Sequence, residues 1–198
     1  MTSVTQAVAQ ASRSRTGPLA LAIGAVLNLG LQIVGPGVQP LNYLAWLTVS
    51  FGLLCFCDEM GAGKPLNRAG LVLLAAAFAA NTASLLAVDE RMSARAHILY
   101  AFALLGALTL WSVALMHRTG GARRTGVLGA GVGLGALAML VGAHVLVGTM
   151  SVLGFSSLFA ALQSPDVSAA APLVTIDALL ALWALGASGL MWTNRLRA

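Results

Sequence analysis

The sequence predicts an all-α membrane protein with six transmembrane helices. Of its 198 residues, 59% are hydrophobic and only 9% are charged, and its mean hydropathy is +0.88. A soluble domain carries roughly 25% charged residues, so water is not the main solvent of this chain. The apolar residues form continuous runs of the length that crosses a bilayer core as a helix. They lack the alternation of a membrane barrel, and a helix satisfies its own backbone polar groups in lipid.

Six apolar runs give the predicted spans. They cover residues 18–35, 41–57, 70–88, 97–116, 126–148 and 172–192. Together they form one polytopic membrane domain, 18–192, between a polar tail at 1–17 and a short tail at 193–198. Residues 150–163 are apolar but short for a crossing, and "SPD" interrupts the pattern after them. They predict a short interfacial helix on the outer side, with a re-entrant segment or a seventh span as alternatives.

The basic residues are divided unevenly between the two sides of these spans. With six spans, Arg91 and Arg95 fall on one side, and every other Lys and Arg falls on the opposite side. The positive-inside rule makes the basic side cytoplasmic, so both termini are predicted to lie in the cytoplasm. Heavy use of Ala, Leu, Gly and Arg suggests a bacterial inner membrane. The net charge of +5 therefore indicates topology and lipid-headgroup attraction, not a nucleic-acid partner.

Three of the apolar runs open with a similar short motif. The motif reads "SRTGPLA" from Ser14, "NRAGLVL" from Asn67 and "RRTGVLG" from Arg123. This spacing predicts three consecutive helical hairpins, related by a repeat. In the first two, Asn28 and Asn81 lie at the same distance after the motif arginine. The alternative is that each motif is an ordinary cytoplasmic anchor before a span.

Three ionisable side chains fall inside the predicted spans. His97, His144 and Asp177 are all expected at a similar depth in the outer leaflet. Ionisable residues within a membrane are costly and commonly functional. They are candidates for a polar or ion site that binds a divalent metal or relays protons, and the two imidazoles are candidate ligands of haem b. The alternative is a His144 to Asp177 hydrogen bond between helices, with His97 at headgroup level.

A second set of polar residues lies on the first and third spans. It comprises Asn28, Gln32, Asn81, Thr82 and Ser84. Such side chains in lipid usually turn toward another helix and hydrogen-bond to it. The set therefore predicts either interhelical contacts or the polar lining of a solute path.

The fifth span is rich in glycine at intervals of four residues. Gly129 precedes Gly133, and Gly131 precedes Gly135. Small residues at this spacing permit close helix approach, within the chain or in an oligomer. Tryptophans 46, 111, 183 and 192 are assigned in part to interfacial belts, where Trp192 fits best.

No motif of a known enzyme chemistry is complete in this sequence. "GAGKP" at 61–65 lacks the Ser or Thr of a phosphate-binding loop, and no nucleophile elbow or zinc-protease motif occurs. The leading hypothesis is a non-enzymatic multi-pass protein that moves or senses a small solute or ion. The alternatives are an accessory subunit of a larger membrane complex and a small haem b redox subunit. The expected partners are the lipid bilayer and either a homo-oligomer or such a complex.

Overall fold

Six α-helices make up the part of the chain that the computed structural model describes, which comprises residues 15–34, 39–61, 63–86, 88–152, 170–193 and 196. The helices are α1 (Thr16–Val34), α2 (Gln39–Gly61), α3 (Pro65–Leu86), α4 (Glu90–Met116), α5 (Gly120–Val152) and α6 (Ala170–Trp192). These residues contain no strand, so the predicted all-α class is confirmed.

Four helices contain a stretch that is long and apolar enough to cross a membrane. The stretches are Tyr43–Gly61, Pro65–Ser84, Ile98–Met116 and Gly120–Gly142, in α2 to α5. These four candidate spans support the membrane class that the composition predicts. In α1 and α6 the apolar stretches that the structure describes are shorter, Thr16–Leu31 and Ala178–Trp192. The first and sixth crossings accordingly remain predictions.

Most helices extend past the apolar runs that predict them. The helix α3 begins at Pro65, α4 at Glu90 and α5 at Gly120, each before its apolar run. Hydropathy reports only the part of a helix that lies in hydrocarbon, whereas backbone hydrogen bonding continues into the polar flanks. Residues 150–152 of the predicted interfacial helix belong to α5, and its remainder, 153–163, lies outside the described residues.

The helices pack mainly on their neighbours in sequence, and the last one returns to the first. Among the described residues, the most extensive contacts join α3 to α4, α1 to α2, α4 to α5 and α1 to α6. The first two predicted hairpins thus consist of packed helices. The third is less distinct, because α5 packs more extensively on α4 than on α6.

Of the four helices with a candidate membrane span, α2 is the most buried. Its stretch is 61% buried inside the protein, against 44% for that of α4 and 28% for those of α3 and α5. Phe56 of α2 lies between two buried tryptophans in edge-to-face contact. Its ring centroid is 5.9 Å from that of Trp111 on α4 and 5.6 Å from that of Trp183 on α6. These three aromatic side chains tie α2, α4 and α6 together.

One end of the bundle carries most of the described basic side chains. Contacts show that the relevant helix ends meet there: Ser188 Oγ of α6 donates to the carbonyl of Pro18 in α1 at 2.7 Å, and Arg118 Nη1 donates to the Leu196 carbonyl. The Arg15 guanidinium lies 5.0 Å from the ring centroid of Trp192. This end, called the basic end below, bears Arg15, Lys64, Arg68, Arg118, Arg123 and Arg124.

The turn between α2 and α3 at the basic end is closed by a buried asparagine. Asn67 Nδ2 donates to the carbonyls of Met60 at 3.0 Å and Gly61 at 2.8 Å. These carbonyls lie at the end of α2, where no further turn of helix supplies donors. The buried thiol of Cys57 in turn donates to the Asn67 carbonyl at 3.5 Å. The asparagine thus satisfies the last turn of α2 and fixes the start of α3 beside it.

Candidate ligand cleft

A partly open cleft runs between α1, α2, α4 and α6. Its cavity volume is about 60 Å³. The walls consist mainly of apolar and aromatic side chains from all four helices. The lining residues are Leu21, Ala25, Asn28, Trp46, Val49, Leu53, Tyr100, Leu104, Leu108, Leu180, Ala181, Trp183 and Ala184.

The cleft lies at the middle depth of the bundle. Counted from the basic end, Leu53, Leu108 and Ala184 lie about 12 Å along their helices at 1.5 Å per residue. Asn28 lies about 18 Å along α1, and Tyr100 about 24 Å along α4, on the same count. A bilayer hydrocarbon core is about 30 Å thick. The cleft therefore occupies the level that the centre of a membrane would occupy.

The two ends of the cleft differ in burial and in polarity. Toward the basic end it is closed by Leu21 and Leu53, whose exposed fractions are 0% and 1%. Toward the other end its walls include Asn28 and Tyr100, which are only half-buried. Tyr100 and Trp46 meet there almost at right angles, with ring centroids 5.1 Å apart. An apolar floor thus leads to a rim that carries the hydrogen-bonding groups.

The indole N–H of Trp46, whose side chain lines the cleft, is a buried donor. Trp46 is 3% exposed, and its Nε1 has no hydrogen-bond partner among the described residues. An indole nitrogen can only donate, so nothing but an acceptor satisfies it. None of the lining residues that the structure describes is charged. This described lining is chemically suited to an uncharged molecule and unsuited to a bare ion, which would lose its hydration without compensation.

Of the polar residues predicted on the first and third spans, only Asn28 lines the cleft. Gln32 lies within α1, but its side chain lies outside the described residues. Thr82 donates to the carbonyl of Phe78 at 2.9 Å and Ser84 to that of Asn81 at 2.8 Å, both inside α3. The structure therefore does not bring Asn81, Thr82 or Ser84 together with Asn28 at the cleft.

The three ionisable candidates lie in three different helices. His97 is in α4, His144 in α5 and Asp177 in α6, and the side chains of all three lie outside the described residues. Among the side chains that the structure does describe, no three His, Cys, Asp or Glu residues form a group that could hold a metal ion. The metal, proton and haem hypotheses for the three candidates therefore remain predictions.

The glycines of the fifth span divide between two faces of α5. A Cβ atom added at Gly129 would collide with Ser112 Oγ and the Trp183 ring, and one at Gly133 with Thr109 Oγ1. Added at Gly131 or Gly135, it would meet nothing within 4 Å. One pair therefore packs inside the bundle, where it gives Trp183 room beside the cleft, while the other faces outward.

The repeated motif glycines have a packing role against α4. A Cβ atom at Gly70 would collide with Trp111 Nε1. At Gly126 it would lie 2.6 Å from the Ser112 carbonyl oxygen and 2.7 Å from the Met116 nitrogen. The glycine that follows each motif arginine in α3 and α5 thus allows close approach to the end of α4. This contact explains the glycine without requiring a repeat.

The tryptophans that shape the cleft and its surroundings were missed by sequence reasoning. Trp46, Trp111 and Trp183 are buried at 3%, 0% and 1% exposure, so interfacial belts do not account for them. Only Trp192, 45% exposed beneath Arg15, has the environment that a belt implies. When all the residues around a tryptophan are apolar, the sequence does not show which face of the helix turns toward the interior. The sequence alone therefore does not distinguish an inward ring from an outward one.

Comparison with known proteins gives no relative from which a function can be transferred. No family model, no curated protein and no solved structure matches the chain.

Proposed function

We propose that the chain is a six-span protein of a bacterial inner membrane, with both termini in the cytoplasm. Support comes from the basic end, where side chains from the helix ends of α1, α3, α4 and α5 collect. At the opposite end the described basic side chain is that of Arg95, and the sequence adds Arg91. A basic end facing the cytoplasm satisfies the positive-inside rule. The packing of α6 along α1 also favours two further crossings beside the four long apolar stretches.

Single exposed cysteines test this topology. We expect a membrane-impermeant maleimide to label Arg95→Cys in intact spheroplasts, and to label Arg123→Cys and Thr193→Cys only after the membrane is permeabilised. The natural cysteines, Cys55 and Cys57, are buried and give a low background. Labelling of Thr193→Cys from outside would show that α6 does not return to the cytoplasm, and the reverse pattern at all three sites would invert the orientation.

We further propose that the protein binds a small uncharged solute in the cleft. A protein that moves a solute and a protein that senses one must both first bind it. The observation that carries this proposal is a cleft at mid-depth, lined by four helices, with hydrogen-bonding groups toward one end and no charge among its described lining residues. Ligand sites in proteins are typically concave and mostly apolar, with a few placed polar groups. The described lining of the cleft has that character, and it favours a small uncharged solute over an ion.

Quenching of tryptophan fluorescence tests access to the cleft. In a Trp192→Phe background, which removes the exposed tryptophan, we expect uncharged acrylamide to quench more strongly than iodide, because an anion is excluded from the uncharged interior. Ala181 lines the cleft and is 7% exposed. Ala181→Leu should fill the space and remove most of the acrylamide quenching, because two of the three remaining rings line the cleft and the third, Trp111, is fully buried elsewhere.

The matched control is Ala75→Leu, on the exposed face of α3. It makes the same substitution away from the cleft and should leave quenching as in the parent. Ala25→Leu, on the part of the lining that α1 supplies, repeats the test if Ala181→Leu lowers the folded yield. Equal quenching in the filled variants and the control would contradict an accessible cleft.

A second candidate function, that of an accessory subunit, is supported by the outer face of α5. Gly131, Gly135, Ala138 and Gly142 lie on this face at intervals of four, three and four residues, and all are exposed. Small residues at such spacing allow close approach of another membrane helix. An accessory subunit does not need an accessible cleft, so the quenching experiment also separates the two candidates.

A further inference from the structure

A buried leucine lies beyond the end of α6, at the basic end of the bundle. Leu196 follows Trp192, the last residue of α6, and is 0% exposed. It belongs to the same apolar core as Leu115, near the end of α4, and Met191, near the end of α6. Burial of an apolar side chain is favourable, so this leucine anchors the chain beyond α6 in the protein interior.

Arg118 fastens this leucine to the end of α4. Its Nη1 donates to the Leu196 carbonyl, and Arg118 lies just past Met116, the last residue of α4. A hydrogen bond from a charged donor is roughly twice as strong as one between neutral groups. Arg118 is also half-buried, so water competes with the carbonyl less than it does at an exposed arginine. Arg118 and Leu196, called the latch below, therefore join the chain beyond α4 to the chain beyond α6.

The latch connects two helices that have little direct contact with each other. Among the described residues, α6 packs on α1 and α5, whereas α4 and α6 are not a pair in extensive contact. Ser188 of α6 donates to the Pro18 carbonyl of α1 at 2.7 Å, and a Cβ at Gly186 would lie 3.3 Å from the Thr125 side chain of α5. Both α4 and α6 line the cleft. The latch thus ties together two cleft walls that also meet through Phe56 of α2.

A buried layer of aromatic rings lies between the cleft and the latch. In this layer Phe56 contacts Trp111 and Trp183 edge to face. Along α4, Trp111 lies between Leu108, which lines the cleft, and Arg118. Trp111 is fully buried and is not part of the lining. A path from the cleft to the basic end therefore requires α4 and α6 to move apart at this layer.

We propose that the latch fastens a gate at the basic end of the cleft. While Arg118 holds Leu196, the ends of α4 and α6 stay together and the cleft is closed there. Release of the latch lets the two helix ends separate. One hydrogen bond and one apolar side chain next to a helix end form a contact small enough to open locally, since chain ends are among the least stable parts of a fold. This inference rests on the proposed function, and it specifies how the closed end of the cleft is controlled.

A spin-label distance across the basic end tests the latch in the full chain in lipid nanodiscs. The labels are placed on Met116→Cys in α4 and Gly189→Cys in α6, both at exposed positions, in a background that carries Cys55→Ala and Cys57→Ala. Double electron–electron resonance measures the distance between them. Arg118→Met keeps a long side chain and removes the donor. We expect it to lengthen the mean distance by about 2 Å or more, the scale of helix shifts at interfaces.

Two controls separate release of the latch from a general loosening of the bundle. Arg123→Met removes an exposed arginine of α5 and should leave the distance between α4 and α6 unchanged. Labels on Ala69→Cys in α3 and Met116→Cys report on a helix pair in extensive contact. We expect that second distance to be the same in Arg118→Met and in the parent.

Tryptophan quenching shows whether release of the latch gives access to the cleft. In the Trp192→Phe background, addition of Ala181→Leu blocks acrylamide at the cleft. Further addition of Arg118→Met should restore quenching, because Trp111 then becomes accessible from the basic end. Leu196→Asn breaks the latch from its other side and leaves the arginine in place. It should lengthen the distance and restore quenching in the same way, and it serves as the test if the arginine variant folds poorly.

The possible outcomes separate this inference from the function on which it rests. An unchanged distance in Arg118→Met and Leu196→Asn would overturn the latch, and so would an equal change in Arg123→Met. A longer distance without recovery of quenching would show that the helix ends separate without opening the cleft, which would overturn the gate. The proposed function fails on a different result, namely equal quenching in Ala181→Leu and its control Ala75→Leu.

Discussion

Phe56→Ala should lower the free energy of unfolding by about 3 kcal/mol, because truncation of a buried phenylalanine leaves a cavity that its neighbours fill only in part. Phe56 is 0% exposed and contacts both Trp111 and Trp183. Loss of the Phe56 ring removes two edge-to-face contacts and so weakens the packing of α2 on both α4 and α6. Equilibrium unfolding in mixed micelles of dodecyl maltoside and sodium dodecyl sulfate measures this change.

Phe51→Ala, on the same helix, is the control for Phe56→Ala. Phe51 is 37% exposed on the outside of the bundle. Lipid or detergent can fill the space that its side chain leaves, so we expect a loss of less than about 1 kcal/mol. Similar losses for the two variants would show that Phe56 does not hold the three helices together.

Gly52→Ala should destabilise the contact between α1 and α2 by about 1 to 3 kcal/mol, the usual cost of excess volume in a packed interior. A Cβ atom at this position would lie 2.5 Å from both the nitrogen and the Cα of Leu21. Backbone atoms cannot rotate away as a side-chain tip can, so the whole of α1 would have to shift. The same unfolding measurement detects the loss.

Gly131→Ala provides the comparison for Gly52→Ala, since a Cβ there meets nothing within 4 Å. Intrinsic helix propensity favours alanine over glycine by up to about 1 kcal/mol. We therefore expect the free energy of unfolding of Gly131→Ala to be unchanged or slightly raised. A loss at Gly131 as large as that at Gly52 would mean that sensitivity to alanine reflects the glycine type and not the close approach of two helices.

The membrane class was predictable because it depends on composition alone. A long apolar run has few ways to satisfy its backbone in lipid, so helices follow directly from the runs. The helix ends were less predictable, since the first turns of α3 and α5 contain polar residues such as Asn67 and Arg123. Asn67 shows the difficulty clearly: its role at the end of α2 depends on a turn that brings the two helices together.

The candidate site was predicted only in small part. Asn28 is distinctive because an amide is unusual in a span, and it does line the cleft. The aromatic walls gave no such signal, because Trp46 and Tyr100 are as compatible with lipid as with the interior. The two glycine pairs of α5 have the same spacing, and only the rotation of the helix decides that Gly129 faces inward and Gly131 outward.

The length of α5 affects how the protein fits its bilayer. A helix of 33 residues is about 50 Å long at 1.5 Å per residue, whereas the hydrocarbon core is about 30 Å thick. Standing upright, such a helix would carry its ends well into the headgroup layers, and a tilt shortens the distance it spans. Because α5 packs along α4, the two would tilt as a pair. Bilayer thickness therefore affects the tilt of α4 and α5, the helices that hold Tyr100 and Trp183 in place.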